Sequence, residues 1–374
     1  MSKKLKAGIV GAGFMAGVHA RAIRDAGHEV IGVAASSAES TSRAASKLDV
    51  PTDFSSWQAL VASPEVDVVH ICTPNELHAP IIKAAFAEGK QVVCEKPISV
   101  SLDEALEILD AAQSAKSGFA VPLVYRFYPI AREMRSRIMA GDAGDIYLMH
   151  GTYLQDWLAD SMSNNWRVDS LAGGVSRAFA DIGMHWCDLM EFVSSDRIVR
   201  LIANTSTAYE TRSGVKVLTE DIANVIFETE RGATGSLTVS QVSHGRKNRL
   251  WLEMSGSKAS YSFDQENPDS MWIGGTSSNQ IVMRGQEGLM SADSKRLTRV
   301  PSGHPQGYQD AFNAFMSDAY SSFLGNQPEG LPSVRDGVRS AALVHAVLES
   351  AASKQWVEVP SVENLAQAKL LARK

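Results

Sequence analysis

The segment Leu5-Lys6-Ala7-Gly8-Ile9-Val10-Gly11-Ala12-Gly13-Phe14-Met15-Ala16 decides how this chain begins to fold. Leu5–Val10 reads as a short apolar strand, and Phe14–Ala26 reads as a helix that starts where the glycines end. Between them, Gly11 permits a tight turn and Gly13 lets a ligand come close to the backbone. Ala16 is small enough for the helix to pack on the strand. The spacing GxGxxA is common in isolation. As the first strand-to-helix turn of an alternating chain it points to a pyrophosphate held by the free N–H groups and positive end of a helix.

The alternation continues outward. Val30–Ala35, Val66–Cys72, Val92–Cys94 and Phe119–Tyr125 read as strands. Helices are expected near Ser40–Leu48, over Pro80–Glu88 and over Leu102–Ala112, the last opened by the capping box Ser101-Leu102-Asp103-Glu104. Strands alternating with helices of this length predict a parallel, doubly wound α/β sheet over residues 1–121. From Ile146 the pattern changes. Ile146–Gln155, Ile198–Ala208, Ala223–Glu228, Gly235–Val242 and Leu250–Met254 are strand candidates, several with a period of two. Helices are expected at Leu171–Val193, Tyr308–Leu324 and Ser333–Ala352, and a surface loop at Gly274–Gln286. Residues 122–374 therefore read as an α+β domain built on an open-faced antiparallel sheet.

Composition narrows the function classes. The 374 residues carry 36 basic and 42 acidic side chains, a formal net charge of −6, which gives no polyanion-attracting surface and no support for a nucleic-acid partner. No apolar run approaches the roughly 20 residues of a membrane span. The start of the chain lacks the apolar segment of a secretory signal, and Cys72, Cys94 and Cys187 are too scattered for a disulfide framework. A cytoplasmic location with three buried thiols is the expectation.

The end of the second strand bears on the choice of dinucleotide. An acid there would bond a ribose 2′-hydroxyl and repel a 2′-phosphate, but the strand runs Val33-Ala34-Ala35-Ser36-Ser37. Ser36, Ser37 and the later Arg43 can receive a phosphate, so NADP is favoured slightly over NAD. A flavin is compatible with the fold, but nothing favours one.

Two further segments carry chemistry: Glu95-Lys96-Pro97, at the carboxyl end of a strand, and Asp181-Ile182-Gly183-Met184-His185-Trp186-Cys187-Asp188, on a helix. Together with the glycine turn, in this order and spacing, they resemble the Gfo/Idh/MocA family of glucose-fructose oxidoreductases, inositol dehydrogenases and related sugar dehydrogenases. Cys72-Thr73-Pro74-Asn75-Glu76-Leu77-His78 is similar to that family's loop after the fourth strand. The resemblance implies a Rossmann domain over residues 1–121 followed by an open-faced antiparallel sheet domain, with hydride transfer at the cleft between them and Lys96, Asp181 and His185 as the catalytic group. Cofactor contacts are expected from Gly11, Gly13, Phe14, Met15, Ala16, Ser36, Ser37, Arg43, Cys72, Thr73, Pro74, Asn75, His78, Glu95, Lys96 and Pro97.

The chemistry is coherent without the resemblance. Oxidising a secondary alcohol sends a hydride from carbon to a nicotinamide and a proton from oxygen to a side chain. An imidazole, with an ordinary pKa of about 6.5, suits the proton. An ammonium stabilises alkoxide character, and Asp181 can orient the imidazole or bond a neighbouring hydroxyl. His185 as base with Lys96 as acid is the assignment adopted, with the reverse left open. Asp181, His185 and Asp188 have metal-compatible spacing but no second ligand group, so no metal is expected. Besides Lys96, Asp181 and His185, the expected contacts to a sugar or cyclitol are Tyr125, Arg126, Trp157, Trp166 and Arg167, with Tyr308 a weaker candidate. Trp157 and Trp166 are equally readable as core. A homodimer or homotetramer through the second domain's sheet is expected. Two alternatives stay open: a non-catalytic dinucleotide and sugar sensor, and a dihydrodiol-type dehydrogenase.

Overall fold

The structure, a computed structural model, describes residues 3–163, 165–286, 288 and 290–372. It resolves into two compact units, Met1–Val124 with Tyr308–Ala341, and Tyr125–Gly307 with Ala342–Lys374.

The first unit is built on six parallel strands: β1 (Lys6–Val10), β2 (Glu29–Ala34), β3 (Thr52–Asp53), β4 (Val68–Ile71), β5 (Gln91–Cys94) and β6 (Phe119–Ala120). Their order is β3-β2-β1-β4-β5-β6, so the winding reverses between β1 and β4. That reversal is where open α/β sheets bind ligands, just beyond the strands' carboxyl ends. All four residues of β4 are buried, as expected of a strand covered on both faces. The intervening helices are α1 (Phe14–Asp25), α2 (Ala38–Leu48), α3 (Trp57–Ala62), α4 (His78–Ala87) and α5 (Leu102–Ser114). Ser37, Ser56 and Ser101 cap α2, α3 and α5, each accepting from a first-turn amide. The helix Tyr308–Phe323 returns to this unit and packs along α1, with Arg21 Nε donating to Gln309 Oε1 at 3.1 Å. The strand expected over Phe119–Tyr125 stops at Ala120. Pro122 cannot donate to a ladder, and a tight 3-10 turn follows at Val124–Phe127.

The second unit carries a nine-stranded sheet. Its strands are β7 (Ile146–Leu154), β8 (Ile198–Ser206), β11 (Ile222–Thr229), β12 (Thr234–Ser240), β13 (Arg249–Gly256), β14 (Ser260–Asp264), β15 (Ser270–Gly274), β16 (Asn279–Met283) and β17 (Val357–Glu358); β9 (Thr211–Arg212) and β10 (Val215–Lys216) form a separate ribbon. The order is β16-β15-β14-β13-β7-β12-β11-β8-β17. Its pairings are antiparallel except that of β12 with β7. Residues of one parity are buried, as in Ala223, Val225 and Phe227, whereas Ile226 on the other face is 52% exposed. The buried face meets α6 (Pro129–Met139) and α8 (Met184–Ser194).

Two expectations are corrected here. The stretch Gly274–Gln286 is not simply a loop, since Asn279–Met283 is an edge strand paired with β15. Its Ser- and Asn-rich flank hides that, and of the strand's five residues only Val282 is buried. Leu171–Val193 is not one helix. A short α7 (Ser170–Gly173) ends at Gly174, whose φ of 96° is unfavourable for other residues, and the chain restarts as a π-turn, Phe179–Gly183, leading into α8.

Candidate active site

In the first unit, the switch point is lined by the turns after β1 and β4. Gly11 has φ 116°, its amide donates to Ala34 O, and a Cβ there would overlap the Cys72 carbonyl oxygen. Only glycine fits. Gly13, by contrast, begins α1 without a side-chain cap, and a Cβ on it would meet no protein atom within 4 Å. The first turn of α1 has no acidic residue and no side-chain cap to answer its free N–H groups and positive end. Thr73 Oγ1 is a buried hydroxyl without a protein partner, on the turn that faces Gly11.

His78 was expected to contact the cofactor, but the structure gives it another task. It is fully buried, with Nδ1 2.7 Å from the Pro97 carbonyl and Nε2 3.0 Å from that of Thr73. It thus ties the loop after β4 to the segment carrying Lys96, whose bond to Pro97 is cis. Burial lowers the His78 pKa, against the pull of those two carbonyls. Burial and the Glu95 charge raise the Cys72 thiol well above its ordinary range, so it stays neutral. Ser37 Oγ is occupied as the α2 cap, and Arg43 lies exposed, 3.5 Å from Glu39.

In the second unit, Asp181 sits in the π-turn and His185 in the first turn of α8, so their four-residue spacing is not that of a continuous α-helix. Arg167 Nε donates to Asp181 Oδ1 at 3.3 Å and Gln241 Nε2 to Oδ2 at 2.9 Å. Gln241 is fully buried, and its Oε1 has no protein donor. The Arg167 guanidinium lies 4.4 Å from the centre of the Trp166 ring. His185 is buried, 7% exposed, its ring centre 5.1 Å from that of Tyr125 in an edge-to-face arrangement. The Tyr125 hydroxyl is bonded to that of Tyr153 and accepts from Asn248 Nδ2, and Tyr153 donates to Asn248 Oδ1 at 2.8 Å. Burial raises the Tyr125 pKa above its ordinary value, so its phenol keeps its proton.

Two expected substrate contacts are otherwise engaged. Arg126 is buried in a two-pronged ion pair with Asp188, its guanidinium over Phe192. Trp157 donates to Gln155 Oε1 at 2.8 Å and packs against Leu158, Val168 and Val217. Tyr308, on the first unit, has its hydroxyl 3.9 Å from Met15 Sδ.

Comparison with known proteins agrees with these features. Residues 5–122 match the oxidoreductase family with an NAD-binding Rossmann fold, and residues 131–262 match the GFO/IDH/MocA C-terminal domain. This chain belongs to the Gfo/Idh/MocA family. Levoglucosan dehydrogenase of Pseudarthrobacter phenanthrenivorans is 28% identical across 96% of this chain and 99% of its own. The 1,5-anhydro-D-fructose reductase of Ensifer adhaerens is also 28% identical, over 90% of this chain and 93% of its own. A structure of levoglucosan dehydrogenase with NADH and levoglucosan superposes with a TM-score of 0.89, at 28% identity, covering 96% of this chain and all of that one.

Placed in the Gfo/Idh/MocA family, the first unit meets the demands of a dinucleotide. The open space over Gly13, the uncapped start of α1 and the unsatisfied Thr73 hydroxyl are the features a pyrophosphate and its neighbouring groups require. Gly11→Ala and Gly13→Ala should therefore part company. The first strains the backbone and displaces the turn after β4, lowering the melting temperature and abolishing dinucleotide binding. The second leaves stability within about 0.5 kcal/mol but weakens binding. Thermal melts and fluorescence titration with dinucleotide check both; equal melting temperatures for the two variants would contradict the steric account.

Sequence reasoning missed Gln241, Tyr153 and Asn248. Each lies at or beyond a strand end, where the chain shows only a polar residue among others. A glutamine following the run Leu237–Ser240 was the nearest signal, and its partner Asp181 is 60 residues away.

Proposed function

We propose that this Gfo/Idh/MocA oxidoreductase interconverts a secondary alcohol of a sugar or cyclitol and the corresponding carbonyl with a nicotinamide dinucleotide. The observation that carries the reading is Asp181, held from both sides by Arg167 and Gln241 one turn before a buried His185. When bound, the nicotinamide supplies the hydride acceptor or donor. His185 takes the hydroxyl proton on oxidation and returns it on reduction. Lys96 stabilises the developing alkoxide, and Asp181, fixed by its two partners, bonds a neighbouring hydroxyl or orients the imidazole. Arg167 provides a donor for further hydroxyls, the groups a polyol offers. Levoglucosan, 1,5-anhydro sugars and inositols are the first substrates to try, because the relatives act on anhydro sugars. A nicotinamide absorbance change with at least one of them is expected; a flat trace over a broad panel overturns the dehydrogenase reading in favour of a sensor.

On cofactor choice, the absence of an acid after β2 and the exposed Ser36 and Arg43 favour NADP over NAD. Arg43→Ala should lower kcat/KM for NADP by about tenfold, one charge-assisted bond, and leave that for NAD unchanged. Equal losses with both dinucleotides would contradict this preference.

A further inference from the structure

Four buried side chains of the first unit form one hydrogen-bonded line. Glu95 Oε1 lies 3.0 Å from His19 Nε2, His19 Nδ1 lies 2.9 Å from His70 Nδ1, and His70 Nε2 lies 2.9 Å from the Tyr320 hydroxyl. They come from the end of β5, from α1, from β4 and from the helix Tyr308–Phe323. His19, His70 and Tyr320 have no exposed surface, and Glu95 is 7% exposed. Hydrophobic residues would fill the same space without the desolvation cost that buried polar groups bring. Such a line is stable only if every member is bonded.

One proton position follows from its end. A carboxylate only accepts, so His19 carries a proton on Nε2 and donates it to Glu95. His70 bridges the other His19 nitrogen and the Tyr320 hydroxyl, so every member of the line is bonded. The surroundings fit. Burial, aided by His19, holds His70 well below the ordinary imidazole range, so it is neutral. Burial and the Asp67 charge hold the Tyr320 phenol well above its range, so its O–H is retained.

Glu95 is where the line meets the catalytic machinery. Lys96 and His78 act on it electrostatically, and its own charge joins burial in keeping the Cys72 and Cys94 thiols neutral. Burial pushes the Glu95 carboxyl up. The bond and field of His19, followed by the charges of Lys96 and His78, more than offset this and leave it below the ordinary carboxylate range.

We propose that His19, His70 and Tyr320 are positioning residues that keep Glu95 as a fixed counter-charge for Lys96. The proposal rests on the role given to Lys96 above. Without the His19 donor, burial dominates, Glu95 takes up a proton at higher pH, and the counter-charge is lost. A histidine serves here because its two nitrogens let one ring bond on both sides.

The test compares His19→Leu, which removes the donor, with His19→Gln, which keeps an N–H at similar reach. Tyr320→Phe removes only the distal hydroxyl. Glu95 protonation is read in the dinucleotide-free protein as the carboxylic-acid infrared band that disappears in Glu95→Gln. Near neutral pH the wild type and His19→Gln should show no such band, whereas His19→Leu should show one. With dinucleotide and substrate, kcat of His19→Leu should fall about tenfold, the equivalent of one pKa unit, and recover as pH rises. His19→Gln should restore it, and Tyr320→Phe should move the profile the same way by less. Glu95 remaining ionised in His19→Leu, or equal losses in His19→Leu and His19→Gln, overturns the proposal. Should His19→Leu fail to fold, an unchanged band and pH profile in Tyr320→Phe overturns it instead. The infrared arm needs no substrate, so a wild type inactive on every polyol would overturn the dehydrogenase reading and leave the relay to be judged separately.

Discussion

Lys96→Ala is expected to lower kcat by about a thousandfold while leaving dinucleotide binding close to wild type, and His185→Ala to do the same. The two losses have different origins. Without the ammonium, negative charge on the substrate oxygen has no electrostatic partner. Without the imidazole, the hydroxyl proton has no acceptor other than water, and His185 is buried enough that water is a poor substitute. If both side chains serve one step, the double variant should lose much less than the product of the single losses, because neither works fully without the other. Steady-state kinetics on the best polyol, with dinucleotide affinity from fluorescence, settles it. Near-wild-type kcat in either single variant would remove that residue from the chemistry, and fully multiplicative losses would separate their roles.

The second large effect is on stability. Asp221→Asn should destabilise the second unit by about 3–5 kcal/mol. Asp221 is fully buried between two fully buried guanidiniums, 2.5 Å from Arg177 and 2.8 Å from Arg212. Neutralising it strands two charges in the interior. Burial pushes the Asp221 carboxyl up, but the Arg177 charge and bond, the Ala208 amide and the Arg212 bond together hold it below its ordinary value. A carboxyl with a lowered native pKa adds stability above its unfolded pKa of about 3.9 and loses it as pH falls through the native value. The variant should therefore lack that part of the wild type's stability near neutral pH, and the gap should narrow in acid. In a unit of this size the melting temperature should fall by roughly 10 °C. A shift under 2 °C in calorimetry would show that the site tolerates the unpaired guanidiniums.

The same segment links stability to the active site. Glu220 Oε1 accepts from the Ser176 hydroxyl at 2.7 Å and from the amides of Arg177 and Phe179, and the Asp181 amide donates to Arg177 O. Thr219–Asp221 thus grips the start of the π-turn that carries Asp181. None of this was visible along the chain, where Thr219-Glu220-Asp221 is an acidic stretch before a strand. The pairing partners lie 41 to 44 residues away.

Other parts were readable. The first unit could be read because parallel strands covered on both sides are continuous apolar runs and their helices carry local caps, so each element's signal is contained within it. The glycine turn was readable because Gly11 answers a backbone demand, a positive φ packed against Cys72. Edge strand β16 was not, since its pairing with β15 supplies what its composition lacks. His19 and His70 are each one polar residue on an apolar element, and only the tertiary contacts of His19 with His70 and Glu95 turn them into a line.

The order of amino acids by itself determined the alternating α/β beginning with five of its six strands, the glycine turn, and which side chains carry ionisable chemistry, because local periodicity and backbone sterics act over a few residues. Tertiary structure alone decided which of those side chains are engaged: Arg126 on Asp188, His78 between two carbonyls, Asp181 between Arg167 and Gln241. Hydrogen bonds and charges act through space, and their partners are set by packing between segments far apart in the chain.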